Sequence, residues 1–376
     1  MFLVTLKNLI KTVLFILIIT VLIHFSISYL QTKNNVMDIE KYSPISTLNV
    51  KETLLRKSKY PFIDVHNHQF DMPIKNLDNL VFEMDSLNMA FMVNLSGFRG
   101  LYLKKSLDNI NETAPTRFGL FVNIDFEKID EPDFKSNTLK IIRDAVNDGV
   151  IGLKVYKSLG LTDKDSNGNR ISVNDPRLDP IWDLCGKLNI PVLIHTGEPE
   201  PFWLDKNKYN ERWLELRQKP GRYRGDSTKF PTFKTLMHEQ HDIFRKNPET
   251  IFINAHMGWM ANDLNALSDH LDEHKNVMTE IGAVLAELGR QPNRAREFLI
   301  KYKNRILFGK DSYNISEYFT YFRVLETDDE YFDYYRKRHA HWKMYGLSLP
   351  DSVLKSLYYE NALKLFPSIN KNLFLK

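Results

Sequence analysis

From residue 61 onward, short apolar runs alternate with amphipathic stretches, and this alternation constrains the fold more than any other feature of the chain. The apolar runs are rich in Val, Ile and Phe and are bounded by polar residues, as β-strands are. The stretches between them carry apolar residues at helical spacing. Strands that alternate with helices indicate βαβ units and a parallel sheet. The eight strand candidates are residues 62–68, 91–96, 118–125, 152–157, 191–198, 251–258, 277–283 and 305–311.

Eight strands of this kind in about 250 residues favour an α/β fold of the (β/α)8 type, the TIM barrel. A doubly wound open sheet is the structural alternative. The sequence lacks the usual nucleotide-binding signals of an open sheet, because no G-x-G-x-x-G follows the first strand and no P-loop motif occurs. We therefore predict a barrel over residues 61–376.

The N-terminus has a different character. Residues 13–30, VLFILIITVLIHFSISYL, are predominantly apolar, and Lys7 and Lys11 precede them. Such a run can span a bilayer as a helix, and preceding positive charges favour a cytoplasmic N-terminus. No A-x-A cleavage pattern follows, so we interpret residues 1–30 as a signal anchor, with a cleaved signal peptide as the alternative. Residues 31–60 are interpreted as a linker. The barrel is then expected outside the cytoplasm, anchored at the periplasmic or cell-surface side of the membrane, or secreted if the segment is cleaved.

Composition excludes several other classes of protein. The net charge is +4, and Lys and Arg are scattered along the chain, so nucleic-acid binding is not indicated. The single cysteine, Cys185, excludes an intramolecular disulfide framework and a multi-cysteine zinc site. The sequence leaves the oligomeric state open, a homo-oligomer included.

The chemistry-bearing residues lie at the ends of the predicted strands. In FIDVHNHQF, His66 and His68 are two positions apart and project to the same side of a strand. In a barrel, the carboxyl ends of all strands meet at one mouth, so residues far apart in sequence can converge there. Imidazole and carboxylate groups form a ligand set typical of zinc. The candidate site residues are His66, His68, Lys154, His195, His256 and Asp311.

This layout resembles the metal-dependent amidohydrolase superfamily, in its amidohydrolase-related branch. The H-x-H of the first strand is matched by HNH at 66–68. The histidines of strands five and six are matched in LIHTGEP and INAHMGW, and the aspartate of strand eight in ILFGKDS. YYENALKLF at 358–366 is similar to the closing helix of many members, so the resemblance covers about residues 61–367.

The resemblance admits one ion or two, and we favour one. With one divalent ion, most simply Zn²⁺, His66, His68, His195 and Asp311 would bind it, and His256 would act as an electrophile. With two ions, a carboxylated Lys154 would bridge them and His256 would be a ligand. Lys157 is the less favoured lysine, because three positions along a strand place it on the opposite side.

The activity that the resemblance implies is hydrolysis of an amide, lactone or ester of a small molecule by metal-activated water. Asp311 would act as general base and then as general acid, and His256 would stabilise the oxyanion. A non-oxidative zinc-dependent decarboxylase on the same barrel is the alternative enzyme, and a cleft arginine cluster that grips a carboxylate would favour it. A non-catalytic, metal-stabilised binding module is the alternative outside catalysis.

Weaker candidates complete the set. HEQH at 238–241 has its histidines three apart rather than four, so we predict that it lies on the surface. Asp64 is a candidate partner for a barrel histidine or a strand-end hydrogen-bond acceptor, and Glu280 a pocket residue or a buried carboxylate. Two long segments, 199–231 and 312–349, follow the fifth and eighth strands and are expected to wall the substrate cleft. The first contains Arg217, Arg222 and Arg224.

Overall fold

The computed structural model describes residues 2–34, 37–339 and 341–375. The chain divides into two compact units, Met1–Asn49 and Val50–Lys376. The first unit contains helix α1, Phe2–Asn34. Its stretch Val4–Thr32 is long and apolar enough to cross a membrane, by length and composition only. A membrane anchor and a signal sequence both fit this helix.

Within the described residues, eight parallel strands follow one another around a sheet in the order β1 to β8. The chain closes the sheet on itself, because the Val65 backbone N–H donates to the Phe308 carbonyl at 2.9 Å and the Asp311 N–H donates to the His66 carbonyl at 2.6 Å. This arrangement confirms the predicted TIM barrel. The strands are β1 Phe62–Asn67, β2 Met89–Asn94, β3 Phe118–Asn123, β4 Gly152–Val155, β5 Val192–Ile194, β6 Phe252–Asn254, β7 Val277–Glu280 and β8 Ile306–Leu307.

Helices connect the strands and surround the sheet. Each connecting segment returns the chain to the amino-terminal end of the next strand, as parallel pairing requires. The helices after α1 are α2 Leu77–Leu87, α3 Gly100–Thr113, α4 Phe134–Asn147, α5 Ser158–Leu161, α6 Asp179–Lys187, α7 Trp213–Gln218, α8 Phe233–Lys246, α9 Leu264–Glu273, α10 Leu285–Arg290, α11 Pro292–Lys301, α12 Ile315–Glu326, α13 Asp351–Lys355 and α14 Asn361–Leu365.

The apolar core forms two main clusters. The larger one lies between the sheet and the surrounding helices and includes Phe62, Trp182 and Phe252. The second fills the barrel interior with strand residues, and Phe366 and Phe374 from the C-terminal segment pack against them. Because apolar side chains fill the inside of the barrel, the polar residues are left at the ends of the strands.

A register irregularity in β1 determines which β1 side chains reach the mouth. Ile63 and Val65 both pack in the interior cluster, and the pairing of β1 with β2 shifts between Asp64 and Asn67. Such a bulge changes the alternation of side chains by one residue. As a result, Asp64 and Asn67 share one side of the strand, where the Asn67 Nδ2 donates to the Asp64 Oδ2 at 2.8 Å.

The last residues of the segment 31–60 belong to the second unit and are hydrogen-bonded within it. The Thr53 N–H and Oγ1 donate to the two carboxylate oxygens of Asp329, at 2.6 and 2.7 Å. The Lys59 N–H donates to the Glu326 Oε1 at 3.0 Å. The chain is therefore anchored to the barrel some ten residues before β1 begins.

Candidate metal centre

The six candidate residues all lie at the carboxyl ends of strands. His66 is the second-to-last residue of β1 and Lys154 lies in β4. The other four residues follow their strands within a few positions. Their rings and charged groups are close to one another. Ring centroids are 5.3 Å apart for His66 and His68, 4.7 Å for His66 and His256, and 4.5 Å for His195 and His256. Residues distant in sequence therefore meet at one mouth.

Asp311 faces the two histidines of the first strand. Its Oδ1 lies 3.5 Å from the His66 Nε2 and 3.6 Å from the His68 Nε2. The ligand atoms of these three residues lie within 4.8 Å of one another, so they could hold a metal ion. Asp311 has a φ of 81°, which is an unusual backbone conformation for a residue with a side chain. Strain of this kind is found mainly at functional sites.

A buried carboxylate orients His66. The Nδ1 of His66 donates to the Glu280 Oε1 at 2.9 Å, and neither side chain is exposed. With the proton on Nδ1, the lone pair is on Nε2, which is buried and has no hydrogen-bond partner. A carboxylate behind a metal-ligating histidine commonly fixes its tautomer in this way. The sequence predicts either a pocket residue or a buried carboxylate at Glu280, and the structure shows a fully buried, hydrogen-bonded carboxylate that lies behind the site.

His256 is held by the backbone of the next strand. Its Nδ1 lies 2.8 Å from the Gly282 carbonyl oxygen, which can only accept, so Nδ1 carries a proton. The Nε2 of His256 is buried without a partner. His256, Met257 and Trp259 all have positive φ, and the Trp259 ring lies 4.5 Å from that of His256. The strained turn therefore places the Nε2 lone pair of His256 and the apolar ring of Trp259 next to each other at the barrel mouth.

His68 is positioned by two hydroxyl groups. Its Nδ1 lies 2.8 Å from the Ser96 Oγ, which in turn lies 3.1 Å from the Tyr156 hydroxyl. No sequence motif marks Ser96 or Tyr156 as a site residue. Both lie just beyond the carboxyl end of a strand, β2 and β4, and that position was the only available signal.

His195 and Lys154 complete the site. The Nε2 of His195 and the Nζ of Lys154 are buried without hydrogen-bond partners. Burial lowers the pKa of Lys154 to about 7, although Asp311 and Glu280 oppose the shift. An amine that is partly neutral at pH 7 can act as a ligand or a nucleophile.

The protonation states fit a cation-binding role. Burial lowers the pKa of His66 to about 3 and that of His256 to about 4. It also lowers the pKa of His68 and His195 well below the usual value. Burial alone would raise the pKa of Asp311, but the neighbouring imidazoles and Lys154 hold it below its usual value. Neutral imidazoles and an ionised carboxylate are the forms that bind metals, so the residues present fit a divalent ion.

The two long segments line the cleft above these residues. Phe202 and Arg222 come from segment 199–231, and Arg336 comes from segment 312–349. The cationic side chains there are paired with carboxylates, and Arg217 lies over the Trp213 ring on α7. The pairs are Arg222 with Glu215, Arg224 with Glu198 at 3.3 Å and Arg336 with Glu317 at 3.0 Å.

The expected position of Lys157 is wrong. It lies beyond the end of β4, at the start of α5, and therefore does not follow the alternation of the strand. It lines the same cleft as His195, and its Nζ donates to the Glu198 Oε1 at 2.8 Å.

Asp64 acts as a strand-end hydrogen-bond acceptor. Its Oδ1 accepts from the backbone N–H of His66 at 3.1 Å and of Lys310 at 3.2 Å. Its Oδ2 accepts from the Tyr318 hydroxyl at 2.6 Å. Because the β1 irregularity turns Asp64 away from the mouth, its carboxylate braces β1, β8 and α12 instead of contacting an imidazole ring.

The surface prediction for HEQH holds for one histidine only. His238 is exposed, whereas His241 is half-buried. The His241 ring lies 4.1 Å from the ring of His270 on α9. The i, i+3 spacing places both histidines near one face of α8, but the sequence alone does not show which neighbour covers that face.

Comparisons with known proteins agree with this architecture. A model of the amidohydrolase family matches residues 115–368. An uncharacterised TIM-barrel protein from Bordetella bronchiseptica is similar in structure, with a TM-score of 0.51 and 13% identity over 81% of this chain and 98% of its own. A Staphylococcus aureus protein assigned to the amidohydrolases gives a TM-score of 0.51 and 15% identity over 81% of this chain and 99% of its own. At these identities the likeness shows the fold. A comparison with curated protein sequences gives no match.

Proposed function

The chain belongs to the amidohydrolase family, and on that premise we propose that it is a metal-dependent hydrolase that cleaves the C–N or C–O bond of an amide, lactone or ester. One observation supports this proposal above the others. Four imidazoles, one amine and one carboxylate from five strand ends converge, and the Nε2 atoms of His66, His195 and His256 and the Nζ of Lys154 are buried without partners. Buried polar atoms are normally paired, so a cation is the natural occupant.

The ligands would be drawn from the histidines and Asp311. His66, His68 and Asp311 already lie within ligand distance of one another, and His195 borders them through His256. A bound Zn²⁺ or similar ion would polarise a carbonyl group and lower the pKa of a water molecule.

Asp311 is proposed as the proton carrier. Its side chain is 35% exposed, so it is the most accessible charged group among the six. Its lowered pKa keeps the carboxylate ionised at neutral pH, ready to accept a proton from the attacking water. The same carboxylic acid would then donate that proton to the leaving nitrogen or oxygen.

The role of His256 follows from its tautomer. Because Nδ1 donates to the Gly282 carbonyl and the pKa is lowered to about 4, Nε2 carries a lone pair at neutral pH. A lone pair binds a cation but cannot donate a hydrogen bond to an oxyanion. This supports a ligand role over an electrophilic role, and with it the two-ion arrangement, in which the neutral Lys154 amine would add CO₂ with loss of a proton and the resulting carbamate would serve as a ligand. The metal content of the pure protein, one ion or two at the mouth, separates the arrangements.

Hydrolysis is favoured over decarboxylation by the state of the cleft arginines. Arg222, Arg224 and Arg336 are each paired with a carboxylate of the protein itself. A substrate carboxylate would have to displace these partners at a cost in free energy. The proposed substrate is therefore a small molecule whose reacting carbonyl needs no neighbouring carboxylate.

We also propose that α1 anchors the protein, with residues 1–30 as the anchor, 31–60 as the connection and 61–376 as the catalytic barrel. The barrel would then lie outside the cytoplasm. Sequencing the mature N-terminus from native membranes tests this: an N-terminus near residue 1 is expected, and processing near residue 30 would indicate a signal peptide.

The test of the activity uses the full chain in detergent micelles. Amide, lactone and ester substrates and aryl carboxylates are assayed before and after chelation and after Zn²⁺ is added back. Asp311→Asn, assayed at saturating Zn²⁺, should lower hydrolysis about 10²- to 10⁴-fold, whereas Asp272→Asn, which changes an exposed carboxylate on α9, should not. Release of CO₂ would indicate the decarboxylase. Hydrolysis that survives both chelation and Asp311→Asn would contradict the proposal.

A further inference from the structure

A second group of histidines lies outside the barrel mouth. His241 is on α8, and His270 and His274 are at the end of α9. Each offers a ring nitrogen within 4.8 Å of a ring nitrogen of the other two. The ring centroids are 4.1 Å apart for His241 and His270 and 4.9 Å apart for His270 and His274. We call these three residues the helix histidine cluster.

Four of the six ring nitrogens of this cluster are buried without a hydrogen-bond partner among the described residues. The Nε2 atoms of all three histidines, and also the Nδ1 of His270, are buried without a hydrogen bond. His270 and His274 are each 3% exposed. Tilted and edge-on contacts with the Phe244 ring explain why the His270 and His274 imidazoles pack there. They do not explain why the polar atoms of the imidazoles face one another instead of hydrogen-bond acceptors.

We propose that the helix histidine cluster is a second transition-metal site, built for a divalent ion such as Zn²⁺, which ties α8 to α9. Imidazole nitrogen suits zinc, copper and nickel. His270 and His274 stand four residues apart near the end of one helix, so they can hold one ion from the same face, and His241 reaches it from the neighbouring helix.

The geometry and the charges fit an ion. A tetrahedral zinc site with Zn–N bonds of about 2.0–2.1 Å separates its nitrogens by about 3.4 Å, so small side-chain rotations would close the cluster. The cluster lies at the C-terminal end of α9, where the negative end of the helix dipole favours a cation. The Glu273 carboxylate, whose Oε1 lies 3.8 Å from the His274 Nε2 and 3.6 Å from the Arg245 guanidinium, can provide a fourth ligand. Burial lowers the pKa of His241 to about 4 and that of His270 to about 2, so both are neutral at pH 7.

Cationic neighbours do not block the site. Arg245 is the nearest one on α8, and its guanidinium contacts the Asp242 Oδ1 at 3.1 Å and the Glu273 Oε1 at 3.6 Å. Arg305 points to the backbone, because its Nη2 donates to the His274 carbonyl at 2.6 Å. Both positive charges are therefore directed to oxygen atoms.

The position in the barrel indicates a structural role. The ends of α8 and α9 lead into the amino-terminal ends of β6 and β7, on the face opposite the mouth. Residues on that face of a TIM barrel serve stability rather than catalysis. The site is thus independent of the proposed hydrolysis.

The experiment measures Zn²⁺ retained by the full chain in detergent, by mass spectrometry, together with the rise in Tm that Zn²⁺ produces. His270→Gln should lose one Zn²⁺ per chain relative to wild type and part of the rise in Tm. His238→Gln, which changes an exposed histidine on the same α8, should match wild type. In the His66→Gln/His68→Gln double variant, bound Co²⁺ should still give visible absorption, and adding His270→Gln should abolish it.

A folded His270→Gln protein, judged by circular dichroism, that keeps the wild-type Zn²⁺ content and the wild-type rise in Tm would overturn the proposal. If His270→Gln does not fold, His241→Gln decides by the same two measurements, because His241 lies at the half-buried rim of the cluster. An unchanged Zn²⁺ content in that variant would also overturn the proposal.

Discussion

Replacing Glu280 with glutamine is the sharpest test of how the barrel mouth is organised. The Glu280 side chain is fully buried. One oxygen accepts from the His66 Nδ1 at 2.9 Å and from the His256 N–H at 2.6 Å, and the other accepts from the Gly282 N–H. Glutamine has one accepting oxygen, so in either orientation its NH₂ group faces a buried donor.

The magnitude follows from these contacts. A buried donor left without a partner costs about 1–3 kcal/mol, so Glu280→Gln should lower the free energy of unfolding by that amount. It also removes the charge that fixes the His66 tautomer, and loss of such a supporting group typically weakens metal binding about 10- to 100-fold. That loss corresponds to about 1.4–2.7 kcal/mol.

The assay is a chelator competition for Zn²⁺, carried out in the His270→Gln background so that the helix histidine cluster does not contribute. Glu326→Gln is the matched control, because it changes a partly buried carboxylate that accepts from the Tyr358 hydroxyl at 2.6 Å and the Lys59 N–H at 3.0 Å, without histidine partners. Both donors reach the same Glu326 oxygen, which glutamine can supply, so the control should keep its Zn²⁺ affinity. A Zn²⁺ affinity of Glu280→Gln within twofold of its background would refute the reasoning.

Three further outcomes are expected. Gly309→Ala would place a Cβ atom 2.4 Å from the Glu280 Oε2, so it should lower the free energy of unfolding by about 1–3 kcal/mol and lower Zn²⁺ retention. Gly221→Ala, with open space around it, should change neither quantity. Tyr318→Phe removes a donor from the buried Asp64 carboxylate and should lower the free energy of unfolding in urea by about 1–3 kcal/mol; an unchanged midpoint would contradict that role. Metal-free protein should lose stability as the pH falls below 6.5, by up to about 1.4 kcal/mol per pH unit for each buried imidazole. The reason is that the unfolded chain binds protons that the folded chain binds only near pH 4 or below. A urea midpoint that is flat between pH 7 and pH 5 would contradict this expectation. The imidazoles concerned are His66, His256, His241 and His270.

The sequence predicts the strand ends well because two signals agree there. Apolar β-branched runs mark the strands, and polar residues that follow such runs must lie at a rim. The two signals together predict that His66, His195 and Asp311 lie at one mouth. The barrel was predictable for the same reason, since eight parallel strands joined by helices have few ways to bury both faces.

Other features depend on contacts that no local pattern encodes. The β1 irregularity turns Asp64 outward, although strict alternation would place it beside His66 and His68. Lys157 reaches the cleft because β4 ends two residues earlier, at Val155. His241 meets His270 only because α8 and α9 pack side by side. In each case a tertiary contact or a strand end, rather than periodicity, decides where the side chain points.

The turn that follows β7 ties these observations to chemistry. The Glu280 carboxylate and the Gly282 carbonyl, two residues apart, hold the Nδ1 protons of His66 and His256. A Cβ atom at Gly282 would lie 2.6 Å from the Glu280 Oε2, and one at Gly309 would lie 2.4 Å from it. A buried carboxylate costs free energy unless hydrogen bonds compensate for the loss of water, so packing alone would favour an apolar side chain in so tight a space. Here the carboxylate and the carbonyl leave the Nε2 lone pairs of two imidazoles free, an arrangement that serves the proposed binding of a cation rather than folding.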